Sequence, residues 1–187
     1  MSGELCMERT ISADTEVVLL LCGRFGKEPP GSPAALTTTE YGRLATWLHE
    51  RRLRPADLLG DVGSQCLRDA GSAGLQRERL EFLLQRGTSV ALALERWARG
   101  GLWVVSRSDA AYPKRIRQRL KLRAPPLFFG AGEPGLLERG GLAIVGSRDA
   151  GEAALAQTRL IARRAAEAGL AIVSGGARGV DLAAQQA

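Results

Sequence analysis

The chain has 187 residues and a mass of 19.9 kDa. Its residues are 45% hydrophobic and 25% charged, which is close to the average of globular proteins. This composition argues against collagen, a coiled coil or extended disorder. No uncharged apolar run reaches the roughly 18 residues of a membrane helix, so no membrane span is predicted. The net charge of +6 favours a polyanionic partner such as nucleic acid, although an arginine-rich composition inherited from a GC-rich genome explains it equally well.

The first hundred residues predict a flexible tail followed by a small helical domain. Residues 1–14 are polar and unpatterned, and residues 15–100 carry the helical signals. Thr37 and Glu40 have the spacing of a capping box, and apolar side chains follow them at helical intervals. Helices are predicted over 16–26, from Thr37 to before Pro55, and over 75–86 and 89–99.

The pattern changes to α/β at Gly101. Strands are predicted over 102–105, 127–129, 141–145 and 170–173, and helices over 114–121, over 152–168 and from 179 onward. The last four elements alternate strand and helix, and their strands are continuously apolar. We therefore expect residues 101–187 to open a doubly wound, Rossmann-like parallel sheet that is covered on both faces. Such a sheet normally needs more strands, so a truncated chain is expected, with an unusually small domain as the alternative.

Two glycine-rich turns lie between these strands and helices, at Gly146–Gly151 (GSRDAG) and at 174–179 (SGGARG). Glycine allows a backbone to approach a ligand closely, and arginine and serine donate hydrogen bonds suited to phosphate. Neither turn has the Lys-Ser/Thr of a P-loop or the first glycine of the dinucleotide fingerprint. The alternative is that the glycines only permit tight connections. The candidate phosphate-binding residues are Gly146, Ser147, Arg148, Ser174, Gly175, Gly176, Arg178 and Gly179.

A basic stretch over 114–123 is a second candidate. Six of its ten residues are Lys or Arg, and Lys114, Arg115 and Arg117 would line a groove that binds nucleic-acid phosphates. A solvated helix face is the alternative.

Asp181, at the start of the last helix, is expected to bond backbone N–H groups near a helix N-terminus. A purely local role for Asp181 is at least as well supported as a catalytic one.

The cysteine and histidine content argues against a metal site. The chain has three widely spaced cysteines, no C-x-x-C and one histidine, His49. A cytoplasmic, reduced protein is therefore expected.

Four segments resemble the DprA/Smf family of DNA-processing proteins, in the order in which that family has them. They lie at 108–113 (SDAAYP), 124–130 (APPLFFG), 143–148 (AIVGSR) and 172–181 (IVSGGARGVD), so the resemblance covers roughly residues 87–187. It implies a Rossmann-like domain after a small helical (SAM-like) domain, with the eight turn residues gripping phosphate.

The resemblance also implies a function. Family members bind single-stranded DNA in natural transformation, protect it and help load the RecA recombinase. They need neither catalysis nor a nucleotide cofactor, and they often self-associate, so a homodimer is one expected assembly. Two departures stand out: Gln185 occupies the place of a usual histidine, and the family domain continues beyond Ala187.

Two other hypotheses remain open at this point. One is a nucleotide-processing enzyme of the phosphoribohydrolase type, although the P-G-G-x-G-T-x-x-E segment expected of that class is missing from the sequence. The other is an inactive, truncated fragment.

Overall fold

The computed structural model describes residues 11–26 and 29–187, which divide into two compact units. The first unit ends at Pro134 and the second spans Gly135–Ala187. Residues 1–10, most of the predicted tail, lie outside the described residues.

The first unit is built mainly from helices. They are α1 (Ala13–Cys22), α2 (Thr38–Glu50), α3 (Asp61–Cys66), α4 (Arg77–Leu84) and α5 (Gly87–Arg99), with 3₁₀ turns at Pro55–Leu58 and Leu67–Ala73. Helix α1 begins earlier than the sequence predicts because the Ser12 hydroxyl accepts a hydrogen bond from the Thr15 N–H. Asp14, which the prediction assigned to the tail, is buried in α1 and forms a 2.6 Å ion pair with Arg54.

Helix α2 has the predicted capping box. The Glu40 N–H donates to the Thr37 hydroxyl, and the Thr37 N–H donates to the Glu40 carboxylate at 2.8 Å. The predicted stripe of Tyr41, Leu44, Trp47 and Leu48 is buried, which confirms this helix. The stripe packs with Val17, Val18 and Leu21 of α1 and with Leu80 and Leu83 of α4 in the largest core cluster of the unit.

An antiparallel strand pair belongs to this first unit. Strand β1 (Leu102–Ser106) pairs with β2 (Leu127–Ala131), and between them lie α6 (Lys114–Leu120) and a 3₁₀ turn at Lys121–Arg123. Val104 and Leu127 pack against a cluster that includes Leu19 of α1 and Val90 of α5. By its contacts this strand pair groups with the helices, and the compact unit ends at Pro134.

The second unit is the predicted strand–helix–strand–helix. A 3₁₀ turn at Pro134–Leu137 leads to β3 (Gly141–Ala143), α7 (Glu152–Glu167), β4 (Ala171–Val173) and α8 (Val180–Gln185). Strands β3 and β4 are parallel, with Leu142 opposite Ile172. The structure is thus mixed helix and sheet, with one antiparallel and one parallel strand pair among the described residues.

The expected covering of both sheet faces is not found. Val173 of β4 is 56% exposed, and Val145 of the predicted strand 141–145 is 76% exposed and lies beyond the end of β3 at Ala143. The buried apolar residues of the second unit are all alanines, namely Ala162, Ala165, Ala183 and Ala184. Side chains this small cover little of the sheet, so the larger ones stay in contact with solvent.

Two further features bear on function. All nine aromatic residues of the sequence precede Gly135, so the second unit contains none. No helix within the described ranges is both long and apolar enough to span a membrane, and no cluster of metal-binding side chains occurs in those ranges.

Candidate functional site

Asp181 joins the two glycine-rich turns of the second unit. One of its carboxylate oxygens accepts the Gly146 N–H and the other accepts the Gly175 N–H, each at 3.2 Å. The side chain belongs to α8, and the residue is only 7% exposed. The predicted bonding of Asp181 to backbone N–H groups is therefore confirmed, and its partners are the two turns. This bridge brings the turns together beyond the carboxyl ends of β3 and β4.

Further bonds fix the turns against each other. The Val180 N–H donates to the Ser147 carbonyl at 3.1 Å. Gly179 has φ of +87°, and a Cβ at this position would lie 2.3 Å from the Ser147 carbonyl oxygen. Only glycine fits this close approach with a positive φ. On the other side, the Gln185 amide donates to the Ser174 carbonyl at 3.2 Å.

An ion pair crosses between the turns at the surface. Arg178 of the second turn donates to the Asp149 carboxylate of the first turn at 2.5 Å, and the side chains are 74% and 81% exposed, respectively. The Asp149 N–H donates to the Ser147 hydroxyl at 3.1 Å. The sequence analysis did not single out Asp149. The signal for it was an acidic residue directly after Arg148 in a turn proposed to bind an anion.

Some of the predicted phosphate-binding residues already have partners within the protein, and others are exposed to solvent. The N–H groups of Gly146 and Gly175 are engaged by Asp181, and Arg178 is engaged by Asp149. Arg148 is exposed and has no hydrogen-bond or ion-pair partner among the residues described. Ser147 and Gly176 are also exposed. Exposed donors and a guanidinium on a rigid frame suit the binding of an anion.

The basic stretch lies in the first unit, on α6 and the turn after it. All six of its basic residues are exposed, and residues 96–123 contain nine basic residues and one acidic residue. Arg117, however, donates to the carbonyls of Arg107 and Asp109 and lies 5.2 Å from the Tyr112 ring centre. The predicted groove residues Lys114, Arg115 and Arg117 are all exposed, and Arg117 also holds the preceding turn in place.

Part of the chain matches a known protein family. Residues 103–187 match the family model described as DNA recombination-mediator protein A, a range that runs from β1 to α8 and includes α6 and both turns. No curated protein matches the chain. The match supports the resemblance to the DprA family, whose domain indicates a role in DNA processing and recombination.

Proposed function

We propose that this chain is a DprA-family protein that binds single-stranded DNA by its phosphates at the two turns beyond β3 and β4. The observation that carries the proposal is the Asp181 bridge, which holds both turns at one edge with exposed donors beside them. The family match over the same residues supports it.

The binding would rest on charge and on backbone geometry. Arg148 supplies a forked guanidinium donor in the first turn, and Ser147 of the first turn and Gly176 of the second are exposed beside it in sequence and across the Asp181 bridge, respectively. The basic surface of α6 offers further sites for phosphate neutralisation. Such contacts release counterions from the strand, so affinity should fall steeply as salt rises.

The proposal is a binding role without catalysis or a nucleotide cofactor. The one buried carboxylate at the turns, Asp181, has both oxygens accepting backbone N–H groups, which favours a structural role over that of a general base. We further propose that the second unit is part of a Rossmann-like domain, in keeping with its parallel strands. The protein would act in the cytoplasm, protect incoming DNA and help load RecA, with a homodimer as a candidate assembly.

The test is fluorescence anisotropy of the full chain with a labelled thymidine oligonucleotide at low and high salt. We expect binding at low salt that weakens as salt rises. Arg148→Gln should weaken binding about three- to ten-fold and reduce the slope of log affinity against log salt by about 0.7, the value for one phosphate contact on a single strand. Arg164→Gln, an equal change of charge in the last turn of α7, is the matched control.

Two outcomes would contradict the proposal. One is that the unaltered chain does not bind at low salt. The other is that Arg148→Gln and Arg164→Gln weaken binding equally, because binding would then depend on total charge alone.

A further inference from the structure

An acidic side chain lies inside the proposed anion site. Asp149 follows Arg148 directly, and its carboxylate binds Arg178, the one arginine of the second turn. A carboxylate repels phosphate, so at this position it is not an obvious part of a phosphate-binding surface. Its contact with Arg178 resembles the contact that a phosphate oxygen would make with the same guanidinium.

We propose that Asp149 competes with the phosphates of the DNA strand for Arg178. Arg178 must therefore separate from Asp149 before it can bind a phosphate. This inference rests on the proposed function. Asp149 and Arg178 form an acidic latch: the ion pair occupies Arg178 in the unbound protein, and the arriving phosphate displaces Asp149 into solvent.

Because the Asp149–Arg178 pair is exposed, little free energy is needed to separate it. Both side chains are more than 70% exposed, and ion pairs this exposed to solvent contribute little to stability. The carboxylate can therefore leave without strand or helix rearrangement. The backbone of Asp149 has a separate contact, since its N–H donates to the Ser147 hydroxyl at 3.1 Å.

The latch favours one class of ligand. A single phosphate or a mononucleotide offers one contact, and it must displace Asp149 with that contact alone. A strand offers several phosphates in succession, so contacts elsewhere, such as those at Arg148, offset the displacement. Asp149 therefore selects polyanionic strands against small phosphates.

The experiment compares Asp149→Asn with the unaltered chain in the same anisotropy assay, with inorganic phosphate as a competitor. We expect the variant to bind the oligonucleotide about two- to five-fold more tightly, which corresponds to an exposed ion pair. The slope of log affinity against log salt should be steeper for the variant by up to about one. In the unaltered chain the displaced carboxylate takes up a cation, which offsets one of the cations that the DNA releases. Inorganic phosphate should compete better against the variant.

Glu167→Gln at the last position of α7 gives the same change in net charge, about 22 Å along the helix from its first residue. It should change affinity much less. Arg178→Gln provides the second comparison: with Arg178 already replaced, Asp149→Asn should lose most of its effect.

The outcomes separate the two proposals. If the unaltered chain does not bind, the proposed function fails and the latch fails with it. If the chain binds but Asp149→Asn weakens binding, matches Glu167→Gln, or keeps its full effect beside Arg178→Gln, only the latch is overturned.

Discussion

A single buried carboxylate organises the candidate site at the scale of individual residues. Asp181 holds one N–H from each turn, and both N–H groups belong to glycines that allow the approach. A Cβ on Gly175 would lie 2.9 Å from a carboxylate oxygen of Asp181. The geometry of the site therefore depends on the side chain of Asp181, which is almost fully buried.

Asp181→Asn should loosen this site, because the amide that replaces the carboxylate offers one acceptor oxygen where two are needed. One glycine N–H would lose its partner, at a cost of about 1–3 kcal/mol. We expect faster hydrogen exchange at Gly146 or Gly175, measured by NMR, and earlier urea unfolding of the second unit. Glu167→Gln removes an exposed carboxylate at the other end of α7 and should leave both measurements unchanged. Unaltered exchange at both glycines in Asp181→Asn would show that the bridge contributes little.

The sequence indicated the glycines and arginines of the turns because their spacing follows directly from strand–turn–helix order. It did not indicate which side chains would pair across the turns. The partners Asp149 and Arg178 are 29 residues apart, and their contact depends on the three-dimensional course of both turns. The pattern of charges likewise predicts Arg117 as a groove residue but does not indicate the two carbonyls to which it donates.

At the scale of elements, α2 shows which contacts local sequence determines. The capping box between Thr37 and Glu40 could be predicted because both residues lie within one turn. The ion pair between Glu40 and Arg79 of α4, at 2.6 Å, could not, since it joins helices far apart in the sequence. Together the two interactions fasten the start of α2 to α4.

Glu40 should make the stability of the first unit depend on acidity. Its hydrogen bond from Arg79 is the largest cause that lowers the pKa of Glu40, from the usual 4.5 to about 2. A lowered pKa stabilises the fold above pH 4.5, and this contribution is lost as the pH falls toward about 2. We expect Glu40→Gln to lower the free energy of unfolding by about 1 kcal/mol or less at neutral pH.

The check is urea denaturation of both proteins at neutral pH and near pH 2. The difference between them should shrink in acid, because Glu40 of the folded, unaltered chain is about half protonated near its pKa of about 2. Arg79→Gln should give the same pH dependence, because it removes the other half of the pair. A difference that stays constant with pH would rule out a role for this ionisation.

At the scale of the whole molecule, the two units differ in the size of the side chains they bury. The first unit buries Tyr, Trp, Leu and Val, whereas the buried apolar residues of the second are alanines. The apolar runs at 141–145 and 170–173 predicted parallel strands correctly but not their exposure. An apolar run indicates that a strand could be buried. Whether it is buried depends on which other elements pack against the strand.

The second unit should accordingly open more readily than the first. Burial of a large apolar side chain contributes about 1.5–3 kcal/mol, and alanines contribute much less. In hydrogen exchange followed by mass spectrometry, we expect peptides covering β3 and β4 to exchange at least about ten-fold faster than peptides covering α1. Equal protection of the two units would contradict this expectation.

The confinement of every aromatic residue to the stretch before Gly135 has a practical consequence. Indole emission from Trp47, Trp97 and Trp103 reports on the first unit, and the turns beyond β3 and β4 have no intrinsic chromophore of this kind. Indole emission can therefore follow the unfolding of the first unit, whereas unfolding of the second unit has to be followed by another signal, such as backbone circular dichroism.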